Sequence, residues 1–338
     1  MKLTSLLLSS AAVLVAGSAF AADLPAKKAA PAAAVTACPA FGAGFFTIPG
    51  SDTCIKLGGY MNNVTTYSDE DQSISNAAEL RLTLDARSNT EIGVIRGFGR
   101  IGNGGMERAY VQVGGLTVGK SSSLADIAGT NAWNYGSSLG GGDKNNFTYA
   151  AKMGEMTASV SIANAANNNT GDDSVTPDLL AGVSAKAGPV DIKLVGVSHT
   201  AYDATDGDVQ GYAVVGRIGT SVGGGFGVAL FGGISEAASA YTGDIYTDTD
   251  GAGETNTGTN IGGEILLEAG NGTLALAVDQ YTASLAGAEA TVTSYGVSYA
   301  YNVAKGLAVE PEIVYTSEDD DGTETNSTTV YLRIQRDF

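Results

Sequence analysis

The chain has 338 residues, a formal net charge of −18, only two cysteines and seven prolines, and 47 glycines, roughly twice the usual glycine share. These counts exclude collagen and a disulfide-dense miniprotein. The acidic balance argues against nucleic acid, which requires a basic face, and the lone His199 leaves little for histidine catalysis or a zinc centre.

The first segment reads as an address. Lys2, an apolar run from Leu6 to Ala16 and then Ala19-Phe20-Ala21 form a secretory signal over 1–21, with cleavage expected after Ala21. The run falls short of the ~20 residues of a spanning helix. Residues 22–37 are Ala/Pro/Lys-rich, with Lys27 and Lys28, and are expected to be a flexible extension ahead of a main domain at 38–338. Cys38 and Cys54 follow. In an oxidising compartment an isolated pair is most economically one structural disulfide; a two-cysteine metal site without histidine is the poorer alternative.

No later stretch has the ~18 consecutive apolar residues of a membrane helix. What recurs is alternation. Leu80, Leu82 and Leu84 interleave with Glu79, Arg81, Thr83 and Asp85. Near the end, Val330, Leu332 and Ile334 interleave with Tyr331, Arg333 and Gln335. Period two with a charged face is the strand signature, and it fits both a soluble sandwich and a membrane barrel. Connector lengths favour the barrel. About sixteen strands are expected between 55 and 338. They are separated by tight joins at Asn89-Thr90, Gly114-Gly115, Gly154-Glu155 and Gly270-Asn271, and by longer connectors at 68–77, 121–145, 164–177, 236–257 and 318–324. Long outer loops alternating with short turns are the outer-membrane pattern, so the expected fold is all-β: a transmembrane antiparallel up-and-down β-barrel. The chain also closes on an aromatic, Phe338, resembling the terminal residue by which such barrels are recognised for insertion, although Arg336 interrupts the apolar parity just before it.

Three stretches carry a more specific likeness. The run from Ala37-Cys38-Pro39-Ala40-Phe41-Gly42 through Ile48-Pro49-Gly50-Ser51-Asp52-Thr53-Cys54 resembles the N-terminal signature of the alphaproteobacterial porins of brucellae and rhizobia. Met106-Glu107-Arg108-Ala109-Tyr110-Val111-Gln112-Val113 is similar to the strands before that family's third loop, and Arg333–Phe338 to its closing strand. The resemblance implies a sixteen-stranded, water-filled, homotrimeric channel in the outer membrane. Its surroundings would be membrane lipids and lipopolysaccharide, its cargo small hydrophilic solutes and ions, and it would hold no cofactor. It also implies a third loop folded inward as a constriction, here 121–145, with Asp126, Asp143, Lys144, Trp133 and Tyr135, facing basic residues on the wall.

Candidates for that wall lie just before the loop. If Asn89-Thr90 is a two-residue turn, Arg96 faces Thr83 and Arg100 faces Glu79, on the same side as Arg81; Arg108 shares parity with Tyr110 and Gln112. Arg81, Arg96, Arg100 and Arg108 against Asp126 and Asp143 would set a transverse field. The plainer account is a set of cross-strand ion pairs that fill polar space. Arg87 lies nearer the turn. Other motifs carry less. Asp248-Thr249-Asp250-Gly251 and Glu318–Gly322 lack EF-hand spacing; Gly93–Gly99 stands in no βαβ unit; His199 with Asp203 makes a poor triad. The expected function is passive diffusion without enzyme chemistry. A structural or adhesive barrel, and a soluble secreted β adhesin, are the alternatives.

Overall fold

The computed structural model describes residues 35–127, 139–164, 176–203, 205, 207–222, 225–243 and 245–338. The expected signal, residues 22–34 of the extension, and Trp133 and Tyr135 lie outside the described residues. Two short strands, Thr36–Ala37 (β1) and Phe46–Thr47 (β2), pair with each other beside the Cys38–Cys54 disulfide.

Sixteen longer strands form the wall. In chain order they are Cys54–Ser68 (β3), Ser73–Thr90 (β4), Gly93–Gly102 (β5), Gly105–Val113 (β6), Leu116–Ser122 (β7), Asp143–Met153 (β8), Met156–Ala163 (β9), Asp178–Ala187 (β10) and Val190–Asp203 (β11). Gly207–Val222 (β12), Phe226–Glu236 (β13), Thr257–Ala269 (β14), Gly272–Leu285 (β15), Ala288–Ala304 (β16), Leu307–Asp320 (β17) and Thr323–Asp337 (β18) complete it. Each pairs antiparallel with its neighbours in sequence. The ring shuts where β18 meets β3, from Thr329 opposite Ser68 to Asp337 opposite Tyr60. A closed sheet has no unpaired edge, so every wall strand has its backbone partners on both sides.

The burial pattern decides between sandwich and barrel. On β15 Leu276 and Val278 are exposed, while Ala275 and Ala277 are buried; on β18 Val330, Leu332 and Ile334 are exposed. Bulky apolar groups therefore face outward and small or polar groups inward, the reverse of a soluble protein and the arrangement a bilayer rewards. Arg336, which breaks that outward face, reaches the turn and donates from Nη1 to the Lys305 carbonyl at 2.8 Å, leaving the apolar band.

The rims differ as expected, with corrections. Gly114-Gly115, Gly154-Glu155 and Gly270-Asn271 are tight turns. The first turn is Glu91-Ile92, not Asn89-Thr90: β4 runs to Thr90, which pairs with Gly93, whose φ of +104° suits glycine. Arg96 therefore faces Arg87 and Arg100 faces Thr83. The slip amounts to four positions, an even number, so the same side chains still point inward. Two connectors expected to be long are short, at 69–72 and 321–322, because β3, β4, β17 and β18 extend beyond their expected ends.

The apolar cluster lies inside the ring. Val195 and Val197 of β11, Ala213 and Val215 of β12 and Phe231 of β13 point inward and pack with Ala125, Ile127 and Leu139 of the third loop and Tyr241 of the sixth loop, 237–256. These strands are apolar on both faces, lipid on one side and loop on the other, which is why Leu194-Val195-Gly196-Val197 shows no alternation.

Candidate functional site

The third loop leaves β7 at Ser122 and returns at Asp143. Its neck is closed by the Ser123 N–H donating to the Gly142 carbonyl at 2.9 Å. Beyond the neck the loop turns into the lumen. Lys193 on the inner face of β11 donates from Nζ to the Asp126 carbonyl at 3.2 Å, and the Gly140 N–H donates to the Tyr241 carbonyl at 3.1 Å. Gly140 has φ +111°, and a Cβ there would collide with the backbone of Asp126. The returning limb thus lies directly against the outgoing one. In a ring of sixteen, β13 under the loop stands eight strands from β5, so the loop-covered wall lies across the lumen from the strands that precede it.

Those strands carry five inward arginines, all ion-paired. Arg87 and Arg96 share Asp85: Arg87 Nε and Nη2 meet its two oxygens at 2.9 and 2.7 Å, and Arg96 Nη2 donates to Oδ2 at 2.9 Å. Arg81 bridges Glu79 at 2.9 Å and Glu107 at 2.9 Å. Arg100 lies 2.6 Å from Glu107 Oε2, a contact outside hydrogen-bond angles, and 3.2 Å from Asp143. Arg108 meets Asp143 at 2.7 Å and Ser122 Oγ at 2.6 Å. The arginine side chains are about a quarter exposed, so they face water and screening limits each pair to about 1 kcal/mol or less. The planes are steadied from below. Arg96 stands 5.0 Å over Phe98 and 5.5 Å over Tyr110, whose rings stack at 5.2 Å.

Glu107 escaped sequence reasoning. By strict alternation on β6 it belongs outside, but the β5–β6 register slips between Arg100 and Ile101. Arg100 pairs with Arg108 and Ile101 with Met106, leaving Glu107 as the extra residue of a bulge, turned inward. Gly102 makes this possible, since a Cβ there would strike the Glu107 carboxylate.

A second polar cluster sits under the sixth loop. His199 Nδ1 lies 2.6 Å from Asp178 Oδ1, its Nε2 lies 3.3 Å from Asp248 Oδ2, and Tyr241 donates to the other Asp178 oxygen. Lys144 Nζ is 4.0 Å from the same Asp178 oxygen and 5.0 Å from the Tyr241 ring centre. Burial alone would raise the Asp248 carboxyl, but the nearby His199 ring and the hydrogen bonds from Ser239 outweigh it and hold the group below the usual carboxylate range. Burial and the neighbouring Asp178 push the Tyr241 hydroxyl up, so it stays a donor.

With this architecture in view, the comparisons with known proteins agree. A family model described as "Porin subfamily" matches residues 23–337. The chain belongs to the porin subfamily. It is 28% identical, over an alignment of 386 positions covering 100% of both chains, to the porin Omp2b of Brucella neotomae. Its fold is similar to the outer-membrane channel DcaP of Acinetobacter baumannii, with a TM-score of 0.75 at 17% identity, covering 86% of this chain and 98% of that one. It is also similar to the trimer form of OmpT of Vibrio cholerae, with a TM-score of 0.63 at 11% identity, covering 85% of this chain and 100% of the other. The porin is a multi-pass outer-membrane barrel and a channel for passive diffusion.

The expected residues distribute as follows in this porin. Arg81, Arg96, Arg100 and Arg108 share one wall. Asp143 is on that wall too: it opens β8 opposite Ser122 and pairs with Arg100 and Arg108, so it belongs to the basic side and not to the loop facing it. Asp126 is on the third loop. Cys38 and Cys54 are bonded, with Cα atoms 6.1 Å apart. Phe338 is exposed beyond β18, its N–H donating to the Gly59 carbonyl at 3.1 Å. No described group of carboxylates, His and Cys has metal-site geometry.

Proposed function

We propose that the porin passes small hydrophilic solutes and ions through an eyelet between the β4–β6 wall and the inward third loop, with no enzymatic step. Arg81, Arg96, Arg100, Arg108 and Asp143 form one side, and Asp126 belongs to the other. The observation that carries this reading is the juxtaposition of an arginine-lined wall with a loop docked on the opposite strands. Charges fixed on both sides of a narrow aqueous slit orient dipolar solutes and weight the passage of ions.

The working unit is inferred to be a homotrimer held among outer-membrane lipids and lipopolysaccharide. The trimer recorded for OmpT, which shares this fold, supports that assembly. Residues 1–21 are read as the export signal and 22–37 as an extension, in keeping with a family match that begins at residue 23. Phe338 is read as the barrel-insertion signal.

Purified protein in planar bilayers tests the reading. Stepwise currents in units of three support it, and a sealed bilayer overturns it. Arg100→Gln with Arg108→Gln should move the reversal potential in a salt gradient; an unchanged potential would remove both from the eyelet.

A further inference from the structure

The charges along the arginine wall do not cancel evenly. Towards the loop rim, Arg81, Arg100 and Arg108 are matched one for one by Glu79, Glu107 and Asp143. Towards the turn rim, Arg87 and Arg96 have only Asp85 between them. Lys56 joins that group: it stands opposite Asp85 in the β3–β4 register, is exposed, and forms no ion pair among the described residues. Two arginines thus share a single carboxylate, and Lys56 adds a third cation on the neighbouring strand at the same register, outside ion-pair distance of Asp85.

That arrangement is unfavourable unless something uses it. Arg87 and Arg96 are directly opposite each other across β4–β5, and like charges in that relation are destabilising. Asp85 is saturated, accepting from Nε and Nη2 of both arginines. Each guanidinium has five N–H donors, so Nη1 of both is left without a described partner. Both planes are fixed in advance. Arg87 lies 4.9 Å over Phe45, which the Cys38–Cys54 hairpin holds beneath it, and Arg96 lies over Phe98 and Tyr110. Preset donors with net positive charge, about three residues inside the first turn, suit an oxyanion.

We propose that Lys56, Arg87 and Arg96 form an oxyanion-binding station at the turn-side mouth, where the carboxylate or phosphate of a permeating solute pauses. The inference rests on the diffusion reading only for the route by which the solute arrives. The station shares Arg96 with the eyelet wall but excludes Arg100 and Arg108, whose positive charge is already met by Glu107 and Asp143.

Two readouts separate the station from the channel. Succinate or inorganic phosphate, added at constant ionic strength against a chloride control, should cause concentration-dependent interruptions of current. Calorimetric titration of the detergent-solubilised trimer with succinate reads the same site without any current. Lys56→Gln, which leaves the Asp85 pairs intact, should weaken both effects about threefold, and Asp85→Asn/Arg87→Gln/Arg96→Gln, which removes the excess positive charge of the arginine pair without leaving a carboxylate unpaired, about tenfold or more. Arg100→Gln/Arg108→Gln should leave succinate binding as in the native protein. Binding without current would support the station while overturning the diffusion reading. Current without binding, or native binding in both station variants, would overturn the station alone.

Discussion

His199 Nδ1 sits 2.6 Å from Asp178 Oδ1, with both side chains buried, and this contact fixes the ring whose other nitrogen meets Asp248 of the sixth loop. The loop is thereby tied to the wall through one imidazole. Asp248 also accepts from the Ser239 N–H and Oγ at 2.6 and 2.7 Å, so its carboxylate pins the first residue of the turn that presents Tyr241. Its depressed pKa gives the sign of the pH effect. The stabilisation is complete above the ordinary carboxylate value of about 4 and disappears as pH falls through the lower folded value. Hydrogen exchange of 237–256, measured against the intrinsic amide rate at each pH, should therefore gain relative speed as pH falls below about 4. His199→Ala should accelerate it at neutral pH; an unaltered rate would mean that the ring does not hold the loop.

Glu107 offers a test of the bulge. Glu107→Gln removes one negative charge from between Arg81 and Arg100, and the permeability ratio should shift towards anions by about twofold at low salt and less at high salt. Gly102→Ala should do the same by displacing the carboxylate, whereas Glu107→Asp should preserve most of the native preference. Reversal potentials at two ionic strengths distinguish these outcomes.

The lipid face makes a simpler demand. Val278 is exposed near the middle of β15, so Val278→Arg should cost about 2–4 kcal/mol of barrel stability, read by denaturant titration of folded protein in lipid vesicles. A cost near zero would mean that this side chain does not face hydrocarbon.

The disulfide acts locally. Replacing Cys38 and Cys54 by serine frees a loop with a sequence separation of 16, a change of about 3 kcal/mol in the chain-entropy model. Because the hairpin lies ahead of the wall, the barrel should still form, while residues 36–47 become open to protease and Phe45 no longer supports Arg87. Digestion patterns with and without reductant would reveal it.

The wall was the most legible part of this sequence, because hydrophobic alternation survives errors of register. The first turn was misplaced by two residues, yet Arg96 and Arg100 still point inward, since the resulting shift in pairing is even. Glu107 was hidden for the complementary reason: one inserted residue reverses parity, and only the Gly102 vacancy beside it gave a signal. The docking wall was legible but unread. Val195, Val197, Ala213 and Val215 are apolar where a water-filled lumen calls for polar groups, and that anomaly marks where the third loop lies. The pairing of Asp143 with Arg100 and Arg108 depends on where β8 begins, which alternation alone locates poorly.

The joint between β18 and β3 has a consequence for biogenesis. Thr328 donates to Asp69 Oδ1 across a separation of 259 residues, and the strand that seals the ring is the last of the sixteen to leave the ribosome. No partial wall can be free of raw edges before that moment, and pairings so distant along the chain assemble slowly. The polypeptide therefore carries exposed, aggregation-prone strand edges until the last pairing is made, and becomes a vessel only when β18 meets β3.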